Sequence, residues 1–304
     1  MIDLDFSKMT TAALLCAHLQ TTPDTLRRFL RSPESHYTPV ELRKRGNRRP
    51  RLVFEVSPEL GRVHRSVSVA LTPYIQKLPE FIQGFRKERG IRSNAALHVG
   101  AEVVVTADVS GFFDHIGLKH VRELFRQLGA AAQPALLLAR LCTLNDRLPQ
   151  GGRASPAISN LAVPALDRAL AELAPHGTFS RYADDLTFSG GELDCPSEAQ
   201  IAGVLGDLGF ALRPRSYRRQ YRRSGQIVTG LSLASSVPTL TRQRRRSIER
   251  DLHVGARYGI DGGEYARLKG IVHAAGGVDR DLWKAWCKKL DLVKVIATED
   301  DDPE

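Results

Sequence analysis

Three aspartates interrupt apolar, extended stretches of this chain. Asp108 ends the β-branched run Val103-Val104-Val105-Thr106-Ala107, and Asp184 and Asp185 separate Phe179-Ser180-Arg181-Tyr182 from Leu186-Thr187-Phe188. A carboxylate at the end of a buried strand is costly unless it is paired or holds a metal. Three gathered carboxylates repel one another and are stable mainly around divalent cations, and hard oxygen ligands favour Mg2+ or Mn2+ over zinc. Two such ions about 4 Å apart activate a hydroxyl and stabilise a pyrophosphate leaving group. On spacing alone, a plain polar turn at Asp184-Asp185 stands level with metal binding.

Adjacent side chains on a straight strand point to opposite faces, so the pair serves one site only if the chain turns there. The flanking runs suit a hairpin tipped by the pair, with the strand ending at Asp108 beside it. Residues 8–31 have helical spacing, capped by Thr10 or Thr11 and interrupted at Pro23. Extended stretches over 37–56 flank the basic turn Arg43-Lys44-Arg45-Gly46-Asn47-Arg48-Arg49, a hairpin signal. Helical spacing returns over 58–83, broken by Pro73 and Pro79, and again at 117–128, 133–144, 156–173 and 197–209. Residues 227–233 read as one strand. After Pro238 the chain is helical and Arg-rich to about Val295, a composition shift that marks a small C-terminal domain.

The 304 residues carry 44 Lys and Arg against 34 Asp and Glu, a net charge of +10. Five of those acids, Glu299, Asp300, Asp301, Asp302 and Glu304, crowd the last six residues; the rest of the chain stands at +15 (44 − 29). Such an excess points to a polyanionic partner, nucleic acid before membrane. Cys16, Cys142, Cys195 and Cys287 lie far apart, which excludes a disulfide scaffold and disfavours a zinc site. No apolar run approaches a membrane span, and Asp3 and Asp5 stand where a secretory leader is basic, so the expected location is cytoplasmic.

Tyr182-Ala183-Asp184-Asp185 resembles the YxDD hairpin of reverse transcriptases. Asp108-Val109-Ser110-Gly111-Phe112-Phe113 resembles the aspartate strand that precedes it, and Leu148-Pro149-Gln150-Gly151 with Ser155-Pro156 and Ser159-Asn160-Leu161 resembles the loop between them. Asn94-Ala95-Ala96-Leu97-His98 is similar to the NAxxH motif of retron reverse transcriptases, Val228-Thr229-Gly230 to their VTG triplet, and Gly84-Phe85-Arg86 to the run before NAxxH. The resemblance covers about residues 37–235.

It implies an α+β right-hand polymerase: fingers, a palm with an antiparallel sheet backed by helices, and a helical thumb. The expected boundaries are a helical extension over 1–35, fingers over 36–100, palm with part of the fingers over 101–236, thumb over 237–297 and an acidic disordered tail over 298–304. Asp108, Asp184, Asp185 and the Val109 carbonyl are expected to hold two Mg2+ ions (Mn2+ as substitute). Phe113, with Phe112 beside it, matches the aromatic gate against a ribose 2′-hydroxyl. Gln150 and Gly151 are expected against the incoming nucleotide, and Arg51, after Arg48 and Arg49, on its triphosphate.

Nucleic-acid contact is expected of Arg213, Arg215, Arg218 and Arg222, interleaved with Tyr217 and Tyr221, and of Arg242, Arg244, Arg245 and Arg246. Asn94 and His98 join that set, with His98 read as architectural or RNA-facing rather than catalytic. Arg213 and Ser216 stand where relatives have an asparagine and a lysine thought to assist pyrophosphate departure, so no general acid is assigned. The implied partners are a structured noncoding RNA serving as template and primer, its DNA product, deoxynucleotides and an effector or toxin protein in antiphage defence. The rivals are a catalytically silent RNA-binding scaffold and an intron-type or stand-alone reverse transcriptase.

Overall fold

A computed structural model describes residues 5–42 and 51–296; the basic turn with Arg48 and Arg49 and the acidic tail lie outside the described residues. Thr11 caps α1 (Ala12–His18) by accepting from the Leu14 amide, and Pro23 opens α2 (Pro23–Arg31) at a first-turn position where its missing N–H costs nothing. β1 (Tyr37–Leu42) and β2 (Arg51–Val56) pair antiparallel, Tyr37 opposite Val56 and Leu42 opposite Arg51.

α3 (Pro58–Gln76) continues through Pro73, where a break was expected. The proline deprives only the Val69 carbonyl of its helical donor, near the helix end, and Val69 lies on an exposed face where water replaces it. α4 (Ile91–Ala96) follows.

The centre of the molecule is β3 (Val103–Ser110), whose period-2 pattern buries both faces. Val103, Val105, Ala107 and Val109 pack into the main core, whereas Val104 faces a smaller cluster with Ala95, Val228, Leu231 and Leu233. Short α5 (Phe112–His115), α6 (Leu118–Gln127) and α7 (Ala132–Cys142) come next. The helix expected over 156–173 is two, α8 (Ser155–Leu161) and α9 (Pro164–Ala171), divided where Pro164 cannot continue the first.

β4 (Thr178–Tyr182) and β5 (Asp185–Gly190) form a hairpin laid antiparallel along β3. Beyond α10 (Glu198–Asp207), β6 (Ala211–Leu212) and β7 (Arg218–Tyr221) return along the other side of β3, β6 on its Val109–Ser110 end and β7 on Val103–Thr106. The strand expected over 227–233 is a second hairpin, β8 (Ile227–Val228) and β9 (Leu231–Ser232), turning at Thr229-Gly230, both with positive φ. β10 (Thr239–Leu240) pairs with β9.

Then α11 (Arg242–Tyr258), α12 (Gly262–Ala275) and α13 (Arg280–Leu290) close around their own core of Ile248, Leu252, Leu268, Val272, Trp286 and Leu290. Thr241, Asp261 and Asp279 cap the three helices. Among the described residues no helix is long and apolar enough to cross a membrane.

Candidate active site

Register brings the acids together. Asp108 lies directly opposite Asp185 in the β3–β5 ladder, and directly opposed residues share a face. That face is the one of Val104 and Thr106, away from the main core. Asp184 occupies the two-residue turn between Tyr182 and Asp185, and its carbonyl accepts from the Val109 amide at 2.9 Å. Asp108 and Asp185 line an open cleft of about 530 Å³ with Tyr182, Arg213, Arg215 and Arg218.

The turn is held from beneath. Ala183 adopts φ +57°, a left-handed conformation that costs a non-glycine residue about 1–2 kcal/mol and persists only where its surroundings impose it. Gly84 lies against it so closely that a Cβ there would come within 2.7 Å of the Ala183 nitrogen. Residues 81–83 run beside β4, the Arg181 amide donating to the Phe81 carbonyl and the Gln83 amide to the Arg181 carbonyl.

Arg181 itself is fully buried. Its guanidinium donates to both oxygens of the buried Asp167 carboxylate, at 2.5 and 2.9 Å, and to Asn160 Oδ1 and the Ala183 carbonyl, both at 3.3 Å. Asn160 in turn donates to the Gly84 carbonyl at 2.7 Å. One buried cation therefore ties α8, α9, the 81–85 segment and the turn together. Sequence reading missed it, although a charge inside an apolar strand was the signal that singled out the aspartates.

Arg213 spans the acids. Its Nη1 donates to Asp108 Oδ2 at 2.5 Å and its Nη2 to Asp184 Oδ2 at 2.8 Å. Its own amide donates to the Asp108 carbonyl, and the Ser216 hydroxyl both accepts from the Asp108 amide and donates to the Arg213 carbonyl. The two positions that depart from the family pattern thus grip Asp108. The Arg213 fork, expected on nucleic acid, is engaged here by the two carboxylates.

The Asp185 carboxyl is pushed up to about 8, first by desolvation, then by a hydrogen bond shared with Asp108 and by the charges of Asp184 and Asp108, with Arg213 pulling the other way. Tyr182 is raised by desolvation and by Asp185. Three oxygen-only donors with excess negative charge are a set that suits a hard divalent cation. As they stand, no three His, Cys, Asp or Glu side chains among the described residues surround a common ion position. The position between Asp108 and Asp184 is held by the Arg213 fork.

The other expected residues divide. Arg215, Arg218 and Arg222 are exposed, the first two in the cleft. Arg242, Arg244, Arg245 and Arg246 are exposed on α11, and Arg244 lines a second groove of about 580 Å³ that runs past Ile91 and Thr229. Phe113 is half-buried between Phe85 and Phe112, while Phe112 is a core residue beneath the Arg181 guanidinium, so its expected place against the nucleotide is corrected.

Asn94 and His98 lie inside the fold, which for His98 fits the architectural alternative rather than the RNA-facing one. Both are fully buried, and His98 bridges Ser180 of β4 and Ser189 of β5 at 2.7 Å each. Gln150 and Gly151 do not line the cleft; the Gln150 carbonyl accepts from the Phe54 amide, and Gly151 takes φ +103° where a Cβ would meet the Phe54 oxygen at 2.4 Å. The loop is thereby pinned to β2, the strand that Arg51 begins.

An antiparallel sheet thus sets Asp108 opposite Asp185, with Asp184 in the adjoining turn, beside two grooves that carry arginines. Residues 42–199 match the family described as reverse transcriptase (RNA-dependent DNA polymerase), and the chain belongs to that family. It is 34% identical over 222 residues to the retron Mx65 reverse transcriptase of Myxococcus xanthus, covering 65% of this chain and 52% of that protein. It is 26% identical over 235 residues to the retron Ec86 reverse transcriptase of Escherichia coli (76% of this chain, 73% of that protein). With the retron Mx162 reverse transcriptase of M. xanthus it shares 29% over 307 residues (87% and 62%). The chain thus spans about half the length of the Mx65 relative.

Proposed function

We propose that this chain is a retron-type RNA-directed DNA polymerase that copies part of a cognate structured noncoding RNA into DNA, leaving a branched RNA–DNA product. The observation that carries this reading is the pairing of Asp108 with Asp185, with Asp184 in the adjoining turn, inside the stretch matched to the reverse transcriptase family. Similarity to three retron enzymes supports the retron assignment.

Reverse transcriptases generally use divalent metal ions. Here Asp108, Asp184, Asp185 and the Val109 carbonyl would hold two Mg2+ ions, whose chemistry is to activate the primer hydroxyl and neutralise the departing pyrophosphate. Arg215 and Arg218 lie in the same cleft, where guanidinium forks suit phosphate. Arg51, Gln150, Gly151 and Phe113 would meet the nucleotide from the β1–β2 side, and Arg222, Arg242, Arg244, Arg245 and Arg246 would follow the RNA.

In this reading residues 36–100 are fingers, 101–236 palm and 237–297 thumb, and the protein works in the cytoplasm beside an effector in antiphage defence. The Ser216 hydroxyl is bound to backbone, so no proton donor to the leaving group is assigned. One observation favours a silent scaffold instead: the Arg213 fork between two of the acids.

The test incubates the full chain with the RNA encoded beside its gene, Mg2+ and labelled deoxynucleotides. Labelled DNA joined to that RNA is expected from the wild type and none from Asp184→Asn, which still retains the RNA. RNA binding without any DNA from the wild type establishes the scaffold, and indifferent extension of generic primers establishes an intron-type or stand-alone enzyme.

A further inference from the structure

Arg213 combines a fixed backbone with a movable side chain. Its amide donates to the Asp108 carbonyl at 2.8 Å and its carbonyl accepts from Ser216 at 2.7 Å, so the main chain is held at the end of β3. The Arg213 side chain is 37% exposed, and the two aspartate side chains that it joins are 29% and 26% exposed. It therefore borders solvent along the cleft that also holds Arg215 and Arg218.

Asp108 and Asp184 come from different elements, a strand end and a turn, and no other described cation makes an ion pair with either. Arginine suits this task because its planar fork presents two N–H groups to two separate oxygens, whereas a lysine ammonium is a single point.

We propose that Arg213 is the acid cluster's resident counter-cation, competing with divalent metal for Asp108 and Asp184. This rests on the reading of those residues as metal ligands. Loading requires the fork to leave both carboxylates, and the fixed main chain keeps it within the cleft, where a phosphate is its alternative partner. The apparent metal affinity is the intrinsic affinity multiplied by the fraction of molecules whose fork is disengaged. A part-exposed, two-pronged pair corresponds to roughly a tenfold weakening. Metal and a phosphate-bearing substrate then bind cooperatively, because the phosphate stabilises the displaced fork.

The test measures Mn2+ binding to the full chain by electron paramagnetic resonance, with neither nucleotide nor nucleic acid present. Arg213→Gln is expected to bind Mn2+ about tenfold more tightly than the wild type, and Arg213→Lys to fall between them. Equal or weaker binding by Arg213→Gln overturns the proposal. Should that variant fail to fold, judged by circular dichroism, Arg213→Lys decides on the same criterion: tighter than wild type supports, equal or weaker overturns. Asp184→Asn separates the two levels of argument. If it loses Mn2+ while the Arg213 variants match the wild type, only the counter-cation role falls; if it binds Mn2+ as the wild type does, the metal-ligand reading falls with it.

Discussion

Replacing Arg181 by methionine keeps most of the side chain's length and removes its charge. Asp167 is then left 5% exposed and without a cation, while Asn160 Oδ1 and the Ala183 carbonyl lose a donor. Breaking a buried pair by deleting one partner costs about 3–5 kcal/mol, chiefly from the uncompensated charge. That is a large part of the roughly 5–15 kcal/mol by which domains are stable. Urea unfolding followed by circular dichroism should show the midpoint fall accordingly in Arg181→Met. The double variant Arg181→Met/Asp167→Leu should regain much of the loss, since no buried charge remains. DNA synthesis should stay low in both, because the donor to the strained Ala183 carbonyl is absent in both. A cost below about 1 kcal/mol, or a double variant no better than the single, would refute the buried pair; full synthesis by the double variant would refute its hold on the turn.

Two further outcomes follow from the same neighbourhood. Gly84→Ala places a methyl 2.7 Å from the Ala183 nitrogen and 3.3 Å from the Tyr182 carbonyl carbon, both backbone, so the turn must shift; synthesis should fall at least tenfold with RNA retention unchanged, and wild-type synthesis would contradict the close approach. His98 and His64 are both pushed down to about 4, His98 by desolvation and His64 by desolvation with a smaller contribution from Arg153. Each stays neutral in the fold while the unfolded chain protonates near 6.5, so stability is full above that pH and declines as pH falls toward 4. The loss reaches about 3 kcal/mol per histidine at the acid end. Urea midpoints between pH 7.5 and 5.5 should slope less steeply in His98→Gln than in the wild type, and equal slopes would show that His98 is not buried neutral.

What the sequence revealed depended on how local the cause was. The β-branched run at Val103, the cap at Thr11 and the hairpin around Ala183-Asp184 are each decided by a few adjacent residues, and each stands in the structure near its expected place. The Thr229-Gly230 turn was hidden because threonine rarely takes positive φ; here its hydroxyl donates to the Ile91 carbonyl, a partner 138 residues away. Asn94 and His98 carried a motif but no local sign of their burial, which β4, β5 and α4 create together. Phe112 and Phe113 are neighbours in sequence, yet the short helix α5 turns the first into the core and leaves the second half-covered.

Arg213 shows the same limit most clearly. As one of six arginines between residues 213 and 223 it has the composition of a phosphate-binding stripe, and four of the other five are exposed, Arg219 being paired with Glu192. It differs because β6 ends at Leu212, just where it pairs with Val109, so that the next residue emerges beside Asp108. Arg215, two positions on, is turned away by its own positive φ and stays exposed. One register step in a two-residue strand thus decides which arginine meets the carboxylates and which meets solvent. Slipping β6 by a single residue would set Leu212 or Pro214 opposite Asp108, neither with a side-chain donor, and that dependence makes the β3–β6 pairing as much a part of the site as the aspartates themselves.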